Sequence, residues 1–367
     1  MHYRSLGKTG LKISEIGCGT TSYAVVSTAI DAGVNVFDIC VPHTEIRSHM
    51  ARGIGSRRKD IVLQGHIGSI KHEGQYTISR DVQKCDLFLK DLLAHLNTDY
   101  IDVGIIHIVD TEKDFKEAFE SHFIDYIQKL KKEGVIRYIG VSTHNATIGI
   151  KMINTGLVDM FMFSINPAFD LSNGMDPDTV LKGTKLDKLQ IDPVRAEFYN
   201  LCAANGIGLT AMKVLGAGRL LDLKASNLKR SLTLPQCVSY ALDRPAVSSV
   251  ILGARTVKEM EQGIDYFNAT AQERDYAAIL QGRLPLLNGK CMYCNHCLPC
   301  PKKIDVATVT KYLDMAKVSK SETIHAHYSR LSAYASDCIK CKKCEGNCPF
   351  SINVVENMQE AVQIFGK

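Results

Sequence analysis

"DIVLQGHIGSIKHEGQYTISRDVQKCDLFLKDLLAHLNTDYIDVGIIHI", residues 60–108, holds one full turn of a repeating pattern. It opens with a short apolar run, DIVLQGHI (60–67). It passes through SRDVQKCDLFLKDLLAHL (79–96), whose apolar residues recur at helical spacing, and ends in a second run, DVGIIHI (102–108). A strand, an amphipathic helix and another strand imply parallel strands joined by right-handed crossovers. The alternation continues outward on both sides. KISEIG (12–17) and NVFDI (35–39) precede it; IRYIGVS (136–142), DMFMFSI (159–165), GIGLTAM (206–212) and SSVILG (248–253) follow, with helical patterns such as FIDYIQKLKKEG (123–134) between them. Eight such units point to an α/β fold, a closed (β/α)8 barrel of the TIM type rather than an open sheet.

A barrel of this kind assembles its site where the strands end at their C-termini. The polar residues there are Asp38 and His43 after the second strand, His66 ending the third and His107 ending the fourth. Ser142, His144 and Asn145 follow the fifth, Asn166 ends the sixth, Lys213 the seventh, and Gly253 to Arg255 follow the eighth. Several strand ends aiming titratable groups at one mouth make a candidate active site.

The 367 residues are 45% hydrophobic and 23% charged, with net charge +5, so the balance is too weakly basic to argue for nucleic acid. Short runs such as Arg57-Arg58-Lys59 read as a solvated face. No apolar run reaches the roughly 18 residues of a membrane span. The opening MHYRSLGKTGLKIS lacks the apolar core of a signal peptide, so a cytoplasmic location is expected. In a reducing compartment thirteen cysteines read as metal ligands rather than disulfides.

Eight of the thirteen crowd into residues 286–367. The composition changes at LPLLNGK (284–290), which divides the chain into a barrel domain, 1–285, and a small domain, 286–367. CIKCKKCEGNCP (338–349) is C-x2-C-x2-C-x3-C-P, the run of bacterial ferredoxins; CMYCNHCLPCP (291–301) is one residue shorter. Two such runs predict two [4Fe–4S] clusters, since sets of four soft thiolates suit iron–sulfur cubanes. In two-cluster ferredoxins the fourth Cys of each run crosses to the other cluster. Cys291, Cys294, Cys297 and Cys348 would then hold one cluster, and Cys338, Cys341, Cys344 and Cys300 the other. Structural zinc is the alternative. The spacer between the runs has helical periodicity at Val306, Val309, Tyr312 and Leu313, and resembles the helical ferredoxin domain of respiratory iron–sulfur subunits.

The barrel part resembles the aldo-keto reductase family. YRSLGKTGLKISEIGCGT (3–20) is similar to its first hairpin and barrel strand, and AGVNVFDIC, DYIDVGIIHI and KKEGVIRYIGVS to its second, fourth and fifth strands. GIGLTAMKVLGAGRL and VILGARTVKEMEQ resemble its last two units. The resemblance implies carbonyl reduction with a nicotinamide, a Tyr delivering the proton, a Lys–Asp pair tuning it and a His orienting the substrate. It puts Asp38 at the Asp position and His107 at the His position. His43 falls where the Tyr is expected and His66 where the Lys is expected. Histidine can also deliver a proton, but it titrates in the working range. His66 carries the charge of a Lys only while protonated.

The resemblance also implies an NADP(H) site built from Ser142, Asn166, Lys213, Gly253 and Arg255. It is partly eroded, with Thr143 in place of Asn, Met162 in place of Gln and Gly263 in place of Asn. The expectation is therefore an iron–sulfur oxidoreductase of an anaerobe. It would reduce a small carbonyl, hydroxylated or unsaturated compound at the barrel mouth, with electrons from the two clusters and a ferredoxin or flavodoxin as donor. Two other readings remain open: an electron-transfer or interaction subunit with a degenerate barrel, and a metal-dependent enzyme whose His/Asp set binds zinc or iron.

Overall fold

The computed structural model describes residues 1–170, 192–223, 231–276, 291, 297–318, 325, 328–348 and 351–367. Cys294 and the stretch 284–290 lie outside them. The chain forms two compact units, residues 1–70 with 78–285, and residues 71–77 with 286–367.

In the first unit eight parallel strands close into a barrel. They are β3 (Ile16–Cys18), β4 (Val36–Ile39), β5 (Val62–Ile67), β8 (Ile101–Ile106), β9 (Ile136–Thr143), β10 (Met160–Ser164), β11 (Gly208–Met212) and β12 (Val247–Leu252). Closure is made by β12 against β3, with Val250 opposite Ile16 and Leu252 opposite Cys18. The helices between the strands, Tyr23–Asp31 and Val82–His95 among them, cover the outside. Their apolar stripes and the outward strand residues form one continuous layer containing Phe37, Leu89, Phe161 and Phe198. Inward residues such as Val36, Val62, Val103, Ile105 and Met160 fill the interior, so the barrel is a packed core and not a pore.

KISEIG divides between two elements. Lys12–Ser14 is β2, paired antiparallel with β1 (Tyr3–Ser5), and the barrel strand begins at Ile16. The hairpin's Leu6 and Ile13 pack into the interior cluster at the end where the strands begin. Gly7 allows this approach: its φ is +51°, and a Cβ there would stand 2.3 Å from the Gly206 carbonyl oxygen. A second hairpin, β6 (Ser69–His72) and β7 (Gln75–Ile78), follows β5 and shows no signal in the strand–helix alternation.

Past β10 the chain is fastened by a buried network. Asp170, fully buried, accepts hydrogen bonds from Arg195 Nε (2.7 Å), Tyr199 (2.7 Å) and Tyr240 (3.0 Å). The Asp192 amide donates to the Asp170 carbonyl (2.7 Å), while its side chain caps the helix Pro193–Ala204. Burial pushes both phenols well above their ordinary pKa, which keeps them donors.

In the second unit the helices Val306–Val318 and Val354–Phe365 supply a small core with Val309, Leu313, Met358 and Ala361 buried. Tyr328 stacks on Phe365 at 4.0 Å between centroids.

Asp170→Ala strands the Arg195 guanidinium in the interior. It should cost about 3–5 kcal/mol, the scale for removing one partner of a buried ion pair. Urea unfolding followed by circular dichroism checks this, and a loss under 1 kcal/mol would show that the network is not holding this part of the rim.

Candidate active site and cysteine-lined cavity

Asp38 on β4, His66 on β5 and His107 just past β8 come from three neighbouring strands. All are buried, at 4–6% exposure. His66 Nε2 stands 3.0 Å from Asp38 Oδ1, and His66 Nδ1 stands 2.5 Å from His107 Nδ1. The two rings meet edge to face, 4.7 Å between centroids. Both nitrogens of His66 are engaged, so a metal ion there would have to displace one of these partners. Among the described residues no group of three or more His, Cys, Asp or Glu side chains is arranged to hold a metal ion.

His43 stands four residues past β4 as the half-buried N-cap residue of the helix Thr44–Ile54, and its side chain makes no capping hydrogen bond.

The rim around His107 is held in a costly conformation. Ile108 has φ +49°, an outlier for a β-branched residue. Its amide donates to Ser142 Oγ (2.7 Å), and Arg80 Nη2 donates to the carbonyls of His107 (2.7 Å) and Ile108 (2.8 Å). Across the mouth Lys213 has φ +59°, and Asn166 Nδ2 donates to its carbonyl (2.8 Å). Two residues read as cofactor contacts, Ser142 and Asn166, thus hold strained backbone. Sequence reasoning did not find Arg80, which carries no motif. A second pair, half-buried and missed as a pair, joins His144 Nδ1 to Asp110 Oδ2 at 2.8 Å, and Thr143 donates to the same carboxylate.

At the last strand Gly253 and Arg255 are exposed. The Arg255 amide donates to Glu259 Oε2 at 2.6 Å, at the start of the helix Val257–Ile264. The guanidinium suits a phosphate, but the adjacent backbone amide is already taken by a carboxylate.

In the second unit, Cys300, Cys338, Cys341 and Cys344 line a single cavity, with Ile304, Val306 and Met358 among its apolar walls. Lys340 (φ +57°) and Lys342 (φ +58°) turn the chain between these thiols. Left-handed residues of this sort make the backbone concavities found at iron–sulfur sites. Burial, and then the nearby Cys300 and Cys338, push the Cys344 thiol up to about 11. The four thiols, all among the described residues, share this cavity without forming a group arranged to hold a metal ion.

The aldo/keto reductase family profile matches residues 19–233. The uncharacterized oxidoreductase YqkF of Bacillus subtilis (strain 168) is 26% identical over 302 residues, 77% of this chain and 96% of the relative. The L-galactose dehydrogenase of Arabidopsis thaliana is 23% identical over 282 residues, 71% of this chain and 86% of the relative. Among solved structures, the holo form of an aldo-keto reductase from Bacillus halodurans superposes with a TM-score of 0.60 at 22% identity, covering 77% of this chain and 95% of the other. The chain belongs to the aldo/keto reductase family and is an oxidoreductase.

Cys40, just past β4, serves as a test of the site's electrostatics. Burial first, and the Asp38 carboxylate second, push its thiol up to about 12. At pH 8 roughly one molecule in ten thousand then carries the reactive thiolate. Iodoacetamide labelling of the Cys40 peptide, read by mass spectrometry, should rise about tenfold per pH unit from pH 7 to 10 without a plateau. Saturation near pH 8 would mean the thiol is activated.

Proposed function

We propose that this member of the aldo/keto reductase family reduces a small carbonyl, hydroxylated or unsaturated substrate at the barrel mouth, with electrons supplied through two [4Fe–4S] clusters. The observation that carries the reading is the cavity lined by Cys300, Cys338, Cys341 and Cys344. It draws one cysteine from the first run and three from the second, as crossed ligation requires. Cys291, Cys294, Cys297 and Cys348 make up the complementary set. Bound clusters of this kind supply electrons one at a time.

The linked Asp38, His66 and His107 are the groups that orient the substrate and move its proton, with His43 flanking them. Gly253 and Arg255 are the seat for the phosphates of NADP(H), and Ser142, Asn166 and Lys213 shape the opposite side of that site. A bound nicotinamide supplies a hydride. The exposed lysines 302, 303, 340, 342 and 343 flank the walls of the cysteine-lined cavity. Their charge favours an acidic one-electron donor, a ferredoxin or flavodoxin, and makes its approach dependent on salt.

Protein purified without oxygen should carry about eight irons and eight acid-labile sulfides per chain. Stoichiometric zinc without sulfide would overturn the cluster reading. Cys300→Ser should lose the cluster of the second run, seen by electron paramagnetic resonance, and spare the other.

Titration with dithionite and with NADPH separates the reductants. Bleaching by dithionite alone assigns electron entry to the clusters; a matching NADPH-dependent turnover lost in Arg255→Ala assigns it to the nucleotide.

A further inference from the structure

Two imidazole nitrogens 2.5 Å apart can have only one hydrogen between them. Two N–H groups would collide and two lone pairs would repel. The other nitrogen of His66 faces Asp38, and a carboxylate only accepts, so His66 Nε2 carries a hydrogen. These two constraints leave the pair one neutral state and, with one more proton, two, with the charge on His66 or on His107; the carboxylate of Asp38 beside His66 favours the first. When the pair is neutral, His107 Nδ1–H donates to His66 Nδ1, and His107 Nε2 is bare. When the pair holds one more proton in this favoured state, His66 Nδ1–H donates to His107 Nδ1, and His107 Nε2 carries a hydrogen. The positive charge then sits on His66, beside the Asp38 carboxylate.

We propose that Asp38, His66 and His107 form a proton relay that holds one transferable proton, with the charge resting on His66 and the proton issuing from His107 Nε2. The inference rests on the reading of the barrel mouth as the place of reaction. In the delivering step the N–H bond at His107 Nε2 breaks and an O–H bond forms on the substrate oxygen. At the same time the His66 Nδ1–H bond breaks and a His107 Nδ1–H bond forms. His66 ends neutral, still donating to Asp38. The electrons that reduce the substrate come from the reductant, a nicotinamide hydride or a one-electron donor; the relay supplies only the proton.

This arrangement separates the charge from the proton. A single histidine loses its charge and its proton at the same nitrogen. Here the cation is stored one ring away, in a buried position beside its counter-ion, and only a neutral ring meets the substrate. The geometry needs both rings fixed. The strained Ile108, held by Ser142 and by Arg80, fixes the backbone of His107, while β5 fixes His66. Arg80 is therefore a positioning residue for the relay.

The test uses the full-length protein, purified anaerobically with 15N-labelled histidine. A scalar coupling across the N–H···N bond should join one pair of Nδ1 nuclei, and it should vanish in His66→Gln and in His107→Gln. In the protonated pair the imidazolium signal should belong to His66, with His107 neutral and protonated at Nε2. Asp38→Asn, which keeps the shape but removes the anion, should take the charge off His66. Absence of the coupling in the wild type, or a cation localised on His107, overturns the relay. With benzaldehyde as probe, His66→Gln should lower kcat by on the order of 10²–10⁴-fold with little change in KM, the scale and pattern of lost proton transfer. Wild-type kcat in His66→Gln would also overturn it. If the wild type forms no benzyl alcohol with either reductant, the functional reading fails for aldehydes, and the coupling measurement still decides the relay.

Discussion

Closure of the sheet is the constraint from which the rest follows. Pairing of β12 with β3 removes both free edges and turns eight separate strands into a ring. Once the ring closes, every strand's C-terminal end lies on the same rim. Asp38, His66 and His107 then meet, although they are 28 and 41 positions apart in the chain. The hairpin β1–β2 supports this from the other end, because Leu6 and Ile13 fill the interior where the strands begin.

The rim carries unfavourable backbone that the remainder of the fold stabilises. Ile108 and Lys213 both occupy the left-handed region, where side chains beyond Cβ are disfavoured. Each is held by a polar partner from another element, Ser142 and Arg80 for the first and Asn166 for the second. Strain of this type persists only where neighbours over-determine it, and it concentrates at functional sites. It also explains why Ser142 and Asn166 have partners before any ligand arrives.

The strands were legible because their apolar runs are short and the helices between them amphipathic. The hairpin β6–β7 left no trace, since its residues alternate too weakly to stand out from a loop. KISEIG reads as one strand but serves two, because the bend at Glu15 is set by tertiary contacts, with Arg4 Nε at 2.7 Å. The residues of the linked trio could be picked individually from the strand ends. Their linkage could not, because it depends on the register of β5 against β8, which places His66 opposite Ile105. The cysteine runs stand out in the sequence because thiol spacing is a local pattern, and the structure adds that Cys300 shares a cavity with Cys338, Cys341 and Cys344. Asp170 and Arg195 had no such pattern, being distant partners in an ordinary composition.

The hydrogen bond between Asp170 and Asp192 has a meaning for how this barrel can vary. It brings together two points of the chain 22 positions apart and fastens both to the core. Doubling the length of a closed loop adds only about 0.6 kcal/mol of entropy cost. The bond can therefore tolerate a change in the number of residues it closes over far better than a change at either end, because Asp170 acts twice: its carbonyl ties the chain to Asp192 and its carboxylate holds Arg195.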